Sequence, residues 1–164
     1  MKYSVDTNNL KIAIKINGDG SYCSIIGDKA LPLGKTVSWN IKILKSKKKD
    51  GNLIYVGVAP SDINQNDDGN FRKCGWYISC FRSKLWSGPP HRFKGTKYGP
   101  EGKEGKYVRE GDSVGVIMDT AKGELSFALN GANLGVAFTG IPINKSLVPC
   151  VLLEKEGDCV EIIL

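Results

Sequence analysis

The chain has one histidine, His91, and a hydrolase or transferase built on it would need a partner residue to take up or relay its proton. No second histidine, nucleophile elbow or phosphate-cradling glycine loop accompanies it. Asp112 and Asp119 are the nearest thing to a pair of catalytic carboxylates, but each lies at a strand end beside Gly or Thr, where such side chains cap turns. The five cysteines, Cys23, Cys74, Cys80, Cys150 and Cys159, form neither a CxxC pair nor a Cys/His cluster, and an odd number cannot all pair within one chain. Reduced thiols are expected, with Cys150 and Cys159 acting as small hydrophobes in apolar strands. Asn64, Asn66, Asp67 and Asp68 bring oxygens together at calcium-like spacing, yet the glycine and the terminal glutamate of an EF-hand loop are missing. Asn144-Lys145-Ser146 matches a glycosylation triplet, which carries no weight in a cytosolic protein. These residues assign no catalytic group, no metal and no cofactor, and they point away from an enzyme.

The charge pattern points to binding instead. Of the net charge of +6, all the excess sits between Arg82 and Arg109, where eight Lys or Arg (82, 84, 92, 94, 97, 103, 106 and 109) face two acids, Glu101 and Glu104. Glycines and prolines interrupt that segment throughout, so it reads as basic loop and as a surface for acidic partners. A different class of function, RNA binding through residues 82–109, would use the same cations on phosphates with Trp86, His91 or Tyr98 stacked on bases. The lysines at 45, 47, 48 and 49 sit between two apolar runs and read as a solubilising hairpin tip.

What must position these groups is a β scaffold. Leu125, Phe127 and Leu129 alternate with Glu124, Ser126 and Ala128, and Asn130-Gly131 supplies residues that tolerate the positive φ of a two-residue hairpin. With the Val/Ile run Ser113 to Asp119 before it and Lys122-Gly123 as a turn, three consecutive antiparallel strands are expected. Val37, Trp39, Ile41 and Ile43 share one face of a core strand, and Leu53 to Ala59 is apolar enough to be buried on both faces. Leu10 to Ile16 and Tyr22 to Ile26 are expected to open the chain as a hairpin, and Leu147 to Leu153 and Cys159 to Leu164 to close it as another. Trp39 and Trp76 are assigned to the core. No stretch shows a helical stripe, so an all-β antiparallel sandwich of two sheets with about ten or more strands is the expected class. With 164 residues, 41% apolar and 24% charged, one domain spanning 1–164 is expected, as a monomer. No apolar run reaches the ~18 residues of a membrane span and no signal peptide is evident, so a cytoplasmic or nuclear location away from membranes is expected.

Several signatures stand in a fixed order: Val37-Ser38-Trp39-Asn40-Ile41, Tyr55-Val56-Gly57-Val58-Ala59, Gly75-Trp76, Gly111-Asp112-Ser113-Val114-Gly115-Val116 with Asp119, Leu125-Ser126-Phe127, Asn130-Gly131, Leu134-Gly135, Ala137-Phe138 and Leu147-Val148-Pro149. Together they resemble the SPRY domain of the B30.2 module over roughly Leu33 to Leu164. The resemblance implies a bent, concanavalin-like sandwich, with 35–164 as its core and 1–34 as an N-terminal hairpin completing it. It also implies a non-catalytic protein-recognition module that holds a peptide or folded partner through loops at one end. SPRY-and-SOCS-box relatives grip short Asn-containing peptides with an aromatic in a motif similar to Lys84-Leu85-Trp86-Ser87, which makes Trp86, with Lys84 and Arg82 beside it, the implied anchor. The same comparison implicates Ala59 and Pro60 and the last connection, Lys155, Glu156 and Gly157. There this chain departs from those relatives, with Glu154-Lys155-Glu156-Gly157 where they carry an aromatic.

Overall fold

A computed structural model describes residues 3–5, 11–18, 21–47, 54–63, 74–98 and 105–163 of the chain. Its strands are β1 (Tyr3–Val5), β2 (Ile12–Lys15), β3 (Cys23–Ile26), β4 (Thr36–Lys45), β5 (Tyr55–Pro60), β6 (Trp76–Ser79), β7 (Leu85–Ser87), β8 (Lys94–Thr96), β9 (Ser113–Asp119), β10 (Glu124–Leu129), β11 (Ala132–Phe138), β12 (Leu147–Leu153) and β13 (Cys159–Ile163). They form a seven-stranded sheet, β1-β2-β13-β4-β9-β10-β11, and a six-stranded one, β3-β12-β5-β6-β7-β8, with antiparallel pairing throughout. The expected all-β sandwich is the fold observed.

The alternation dictates the core. Trp39, Ile41 and Ile43 of β4 and Val114, Val116 and Met118 of β9 turn inward to meet Val56, Val58, Trp76 and Ile78 of the opposite sheet. Trp39 and Trp76 are both in this core, at 5% and 3% exposure, as their sequence context predicts. All six residues of β5 are buried, in keeping with a strand covered on both faces. The turn at Asn130-Gly131 has φ of 49° and 82°, the doubly left-handed geometry of a tight hairpin between β10 and β11. Asp119 Oδ1 accepts from the amides of Ala121 and Lys122 at 2.9 and 3.0 Å, and Asp112 accepts from Arg109 N and Asn130 Nδ2 at 2.8 and 2.9 Å. Both carboxylates therefore hold turns.

Three expected hairpins are not hairpins. β2 lies in the seven-stranded sheet and β3 in the six-stranded one, so the N-terminal pair that does form is β1 with β2, and β3 pairs with β12. β4 and β5 are likewise split between the sheets, and so are β12 and β13. The tip at 48–53 lies outside the described residues, as does the asparagine-rich segment 64–70. The physical reason is that period two reports which face of a strand is buried but not which layer it joins, and a link across a sandwich needs the same polar turn residues as a hairpin.

Four of the five thiols behave as packing groups. Cys23, Cys80, Cys150 and Cys159 are buried and Cys74 is exposed. Burial raises the Cys80 thiol far above its ordinary value, and it pushes Cys150 up to about 12 against the opposing effect of a hydrogen bond from Tyr77. Thiolate is the reactive form, so Ellman's reagent at pH 8 is expected to modify one thiol per native chain rapidly and the other four only after denaturation. Two or more fast thiols in native protein would contradict this packing.

Candidate partner-binding surface

The turn from β6 to β7 places two non-glycine residues in the left-handed region, Arg82 at φ 55° and Ser83 at φ 48°. Such residues cost about 1 kcal/mol each and persist only where the surroundings enforce them. Here Ser79 N donates to Lys84 O at 2.8 Å, Phe81 N donates to Ser79 Oγ at 3.0 Å, and Ser83 Oγ donates to Lys106 O at 2.8 Å. Gly105 lets the later segment pass directly over the turn, since a Cβ there would strike Ser83 Cβ and the carbonyl oxygens of Tyr98 and Arg82. The outcome is an aromatic and cationic cluster. Arg82 Nε donates to Tyr107 Oη at 2.7 Å, and its guanidinium lies 5.6 Å from the Phe81 ring centre and 5.5 Å from that of Tyr107. Those rings meet edge to face at 5.3 Å, and Lys84 Nζ sits 5.9 Å from the Phe81 centre.

Trp86 follows on β7, opposite Tyr77 of β6 and Lys94 of β8. Its neighbours Leu85 and Ser87 are buried, while Trp86 is half-buried on the outer face of the six-stranded sheet. There it joins a second apolar cluster, separate from the main core, made of Tyr55, Ala59, Tyr77, Cys150 and Leu152 with Tyr22, Ile26 and Ile63. The indole meets the Tyr55 ring edge to face at 6.1 Å, and Tyr55 meets Tyr22 at 5.6 Å. Gly95, at φ 77°, carries β8 past the indole: a Cβ there would stand 3.2 Å from Trp86 Cζ2 and 3.6 Å from Lys84 Cδ. The tryptophan is thus packed against Tyr55, with the Lys84 stem and Gly95 close together beside it.

The structure brings Arg82, Lys84 and Trp86 together and separates the others. Tyr55 at one end of β5 pairs with Leu152 and Ser79, whereas Pro60 at the other pairs with Leu147. The Arg82 turn and the link carrying Lys155, Glu156 and Gly157 therefore share one end of the six-stranded sheet, with β5 between them. Pro60 lies buried at the opposite end, and Ala59 beside it is a buried member of the outer-face cluster that Trp86 joins. Glu156 is exposed, Lys155 Nζ pairs with Glu154 Oε1 at 3.3 Å, and Gly157 takes φ 85° while its amide donates to Lys15 O at 2.8 Å. Phe81, Tyr107, Tyr55 and Gly95 are the members that sequence reading missed. Tyr107 stands 25 residues from Arg82, and only the folded path of the chain joins them.

Two residues expected as base-stacking groups are engaged elsewhere. Trp76 Nε1 donates to His91 Nδ1 at 3.2 Å, which leaves the ring proton on Nε2 to donate to Thr139 O at 2.6 Å. The imidazole also packs on Phe93 and Phe138, each at 5.5 Å, so His91 clips β6 to the end of β11 across the two sheets. Tyr98 is 7% exposed; its hydroxyl donates to Gly135 O at 2.5 Å and accepts from Phe127 N at 3.3 Å. Five cations of the basic segment are exposed among the described residues: Arg92, Lys94, Lys97, Lys106 and Arg109. Among the described residues no three His, Cys, Asp or Glu lie close enough to hold a metal ion, and no helix is long and apolar enough to cross a membrane.

Comparisons with known proteins agree with this architecture. Ran-binding protein 10 of Danio rerio is 28% identical over 168 residues, covering 98% of this chain and 25% of the relative, and Ran-binding protein 9 of the same fish is 28% identical over 159 residues, covering 94% and 24%. The chain spans about a quarter of the length of these curated relatives. The crystal structure of the SPRY domain of human HERC1 superposes with a TM-score of 0.78 at 18% identity, over 99% of this chain and 92% of that one. A second human SPRY domain superposes with a TM-score of 0.76, also at 18% identity, over 99% and 95%. The family model for the SPRY domain matches residues 36–164, from the first residue of β4 through the last strand, and on that match the chain belongs to the SPRY family.

Proposed function

We propose that this chain is a non-catalytic recognition module that holds an acidic peptide, or an acidic segment of a folded partner, against Trp86, Lys84 and the Arg82 turn. SPRY domains are in general protein–protein interaction modules. The observation that carries the reading is the half-buried Trp86, backed by Tyr55 and set between Lys84 and Lys94 on a rigid sheet. A supported aromatic with cations at its rim is the composition of a binding hot spot, and the strained turn beside it fits a site shaped before its partner arrives. Lys155, Glu156 and Gly157 extend the surface along the same end of the sheet, in a cytoplasmic or nuclear monomer. Ala59 backs it as a member of the same outer-face cluster, with Pro60 next to it at the far end of the strand.

Affinity capture from a lysate of the source organism, with wild type and Trp86→Ala side by side, tests the proposal. Removing a hot-spot tryptophan should cost about 2 kcal/mol of binding or more, a loss of roughly thirtyfold, with circular dichroism unchanged. Undiminished capture by a folded Trp86→Ala variant would sink the assignment. The exposed cations also favour the RNA alternative through residues 82–109, and a fluorescent single-stranded RNA decides it. Tight binding at ~50 mM salt that falls steeply as salt rises would move the function to nucleic acid, and absence of binding there removes that alternative.

A further inference from the structure

At the opposite end of the molecule, the link from β3 to β4 (residues 27–35) and the link from β11 to β12 (residues 139–146) run side by side. Between them lies a shallow groove lined by Leu31, Leu33, Thr120, Ile143, Lys145 and Leu147. We propose that this groove is a second docking site, which takes an extended acidic segment of another protein by seating one aliphatic side chain between Leu33 and Ile143.

The first argument is exposed apolar surface on a fixed frame. Leu33 is 70% exposed and Ile143 38%, with half-buried Leu31 in the groove beside them. A single exposed leucine is ordinary, and on a mobile loop it would fold away. Neither wall is free to do so. Gly27 N donates to Pro149 O at 2.9 Å and Leu31 N to Leu147 O at 2.8 Å. Lys35 N donates to Thr120 Oγ1 at 3.0 Å, and the Thr120 hydroxyl reaches Pro32 O at 2.7 Å and Lys35 O at 2.8 Å, sharing its one proton between them. On the facing wall Ile141 N donates to Gly123 O at 3.0 Å and Ser61 N to Ser146 O at 2.8 Å. The apolar side chains are therefore displayed at fixed positions, which lowers the ordering cost of docking.

The second argument is charge. Residues 27–35 and 139–147 carry three lysines, Lys29, Lys35 and Lys145, against one acid, Asp28. Lys145 lines the groove itself, and the one acid on the adjoining β9 turn, Asp119, is occupied by Lys122 Nζ at 3.9 Å and by two turn amides. An aliphatic anchor flanked by carboxylates fits this rim, and a basic segment does not. The site lies away from Trp86 and stands independently of the function proposed above.

The test is amide NMR of the isotopically labelled chain with three capped peptides: Glu-Asp-Leu-Glu-Asp, the same peptide with serine for leucine, and Lys-Ser-Leu-Ser-Lys. The first is expected to bind with a Kd of about 1 mM and to shift amides of residues 31–35 and 141–147 in a saturable way. The serine and lysine peptides are each expected to bind at least roughly fivefold more weakly, a difference of about 1 kcal/mol. Leu33→Ser and Lys145→Glu change exposed positions and should weaken the first peptide similarly with folding intact, whereas Trp86→Ala should leave it unchanged. No shift in the groove, equal binding of all three peptides, shifts confined to the surroundings of Trp86, or groove shifts that appear with rising protein concentration alone would each overturn the proposal.

Discussion

Gly57→Ala is expected to destabilise the protein by about 3 kcal/mol, the upper range for adding atoms to a packed site, and to lower the melting temperature by roughly 10 °C. Gly57 is central in β5, paired with Cys150 of β12 on one side and Tyr77 of β6 on the other. A Cβ there would fall on the carbonyl oxygen of Trp76, with Trp76 C at 2.9 Å and Tyr77 Cα at 3.0 Å. All three obstacles are backbone, so no side chain can rotate away and the ladder between β5 and β6 must open. Gly115→Ala is the internal control. Its Cβ would meet Ala128 Cβ and Asn40 Oδ1, each at 3.1 Å; the Asn40 amide can rotate away and Ala128 needs only a shift of a few tenths of an ångström in its strand, for about 1 kcal/mol. Urea unfolding of the two variants measures the difference, and equal midpoints would show that strand spacing at Gly57 is not what limits the substitution. The row that Gly57 holds in place also contains Tyr77 and Trp86, so a spread ladder would move the proposed anchor along with the core.

Local chemistry was legible in the sequence, and long-range assignment was not. Period two located β4 and β10 because burial of one face leaves a mark on every second residue, Val- and Ile-rich runs located β5 and β9, and Asn130-Gly131 marked its hairpin because few other residues accept φ of 49° and 82° in succession. The layer to which each strand belongs left no such mark. The links after β2, β4 and β12 cross the sandwich, yet their polar and glycine residues serve a crossing as well as a return. The site divides in the same way. Arg82, Lys84 and Trp86 stay together because they are neighbours in sequence as well as in space. Ala59 and Pro60 are implied by family pattern alone and lie within a strand that is buried along its whole length. Tyr107 reaches Arg82 only because Gly105 allows the backbone to ride over the β6–β7 turn, a contact that no local pattern announces.

The crossing from β12 to β13 is fastened by one side chain as well as by its backbone, and Asp158→Ala is expected to cost about 2–4 kcal/mol. Asp158 is 2% exposed. Its Oδ1 accepts from Lys47 N at 3.1 Å and its Oδ2 from Lys155 N at 2.9 Å, so the carboxylate joins the segment leaving β4 to the turn leaving β12. Its own carbonyl accepts from Lys15 N at 3.0 Å, and Lys15 O accepts from Gly157 N at 2.8 Å, which fastens the link to β2. Alanine would remove two charge-assisted hydrogen bonds to partly buried amides, each worth about 1–2 kcal/mol. Asparagine discriminates a hydrogen-bonding role from a space-filling one. It keeps the shape and one carbonyl acceptor but turns an NH2 toward the other amide, so Asp158→Asn is expected to lose at least about half as much stability as Asp158→Ala. If Asp158→Asn matches wild type in urea unfolding while Asp158→Ala does not, the side chain serves by volume alone. The effect should also reach the surface at 155–157, because the amide of Lys155 is fixed by this carboxylate. A partner that uses that end of the sheet should therefore bind Asp158→Asn more weakly even where the protein remains folded.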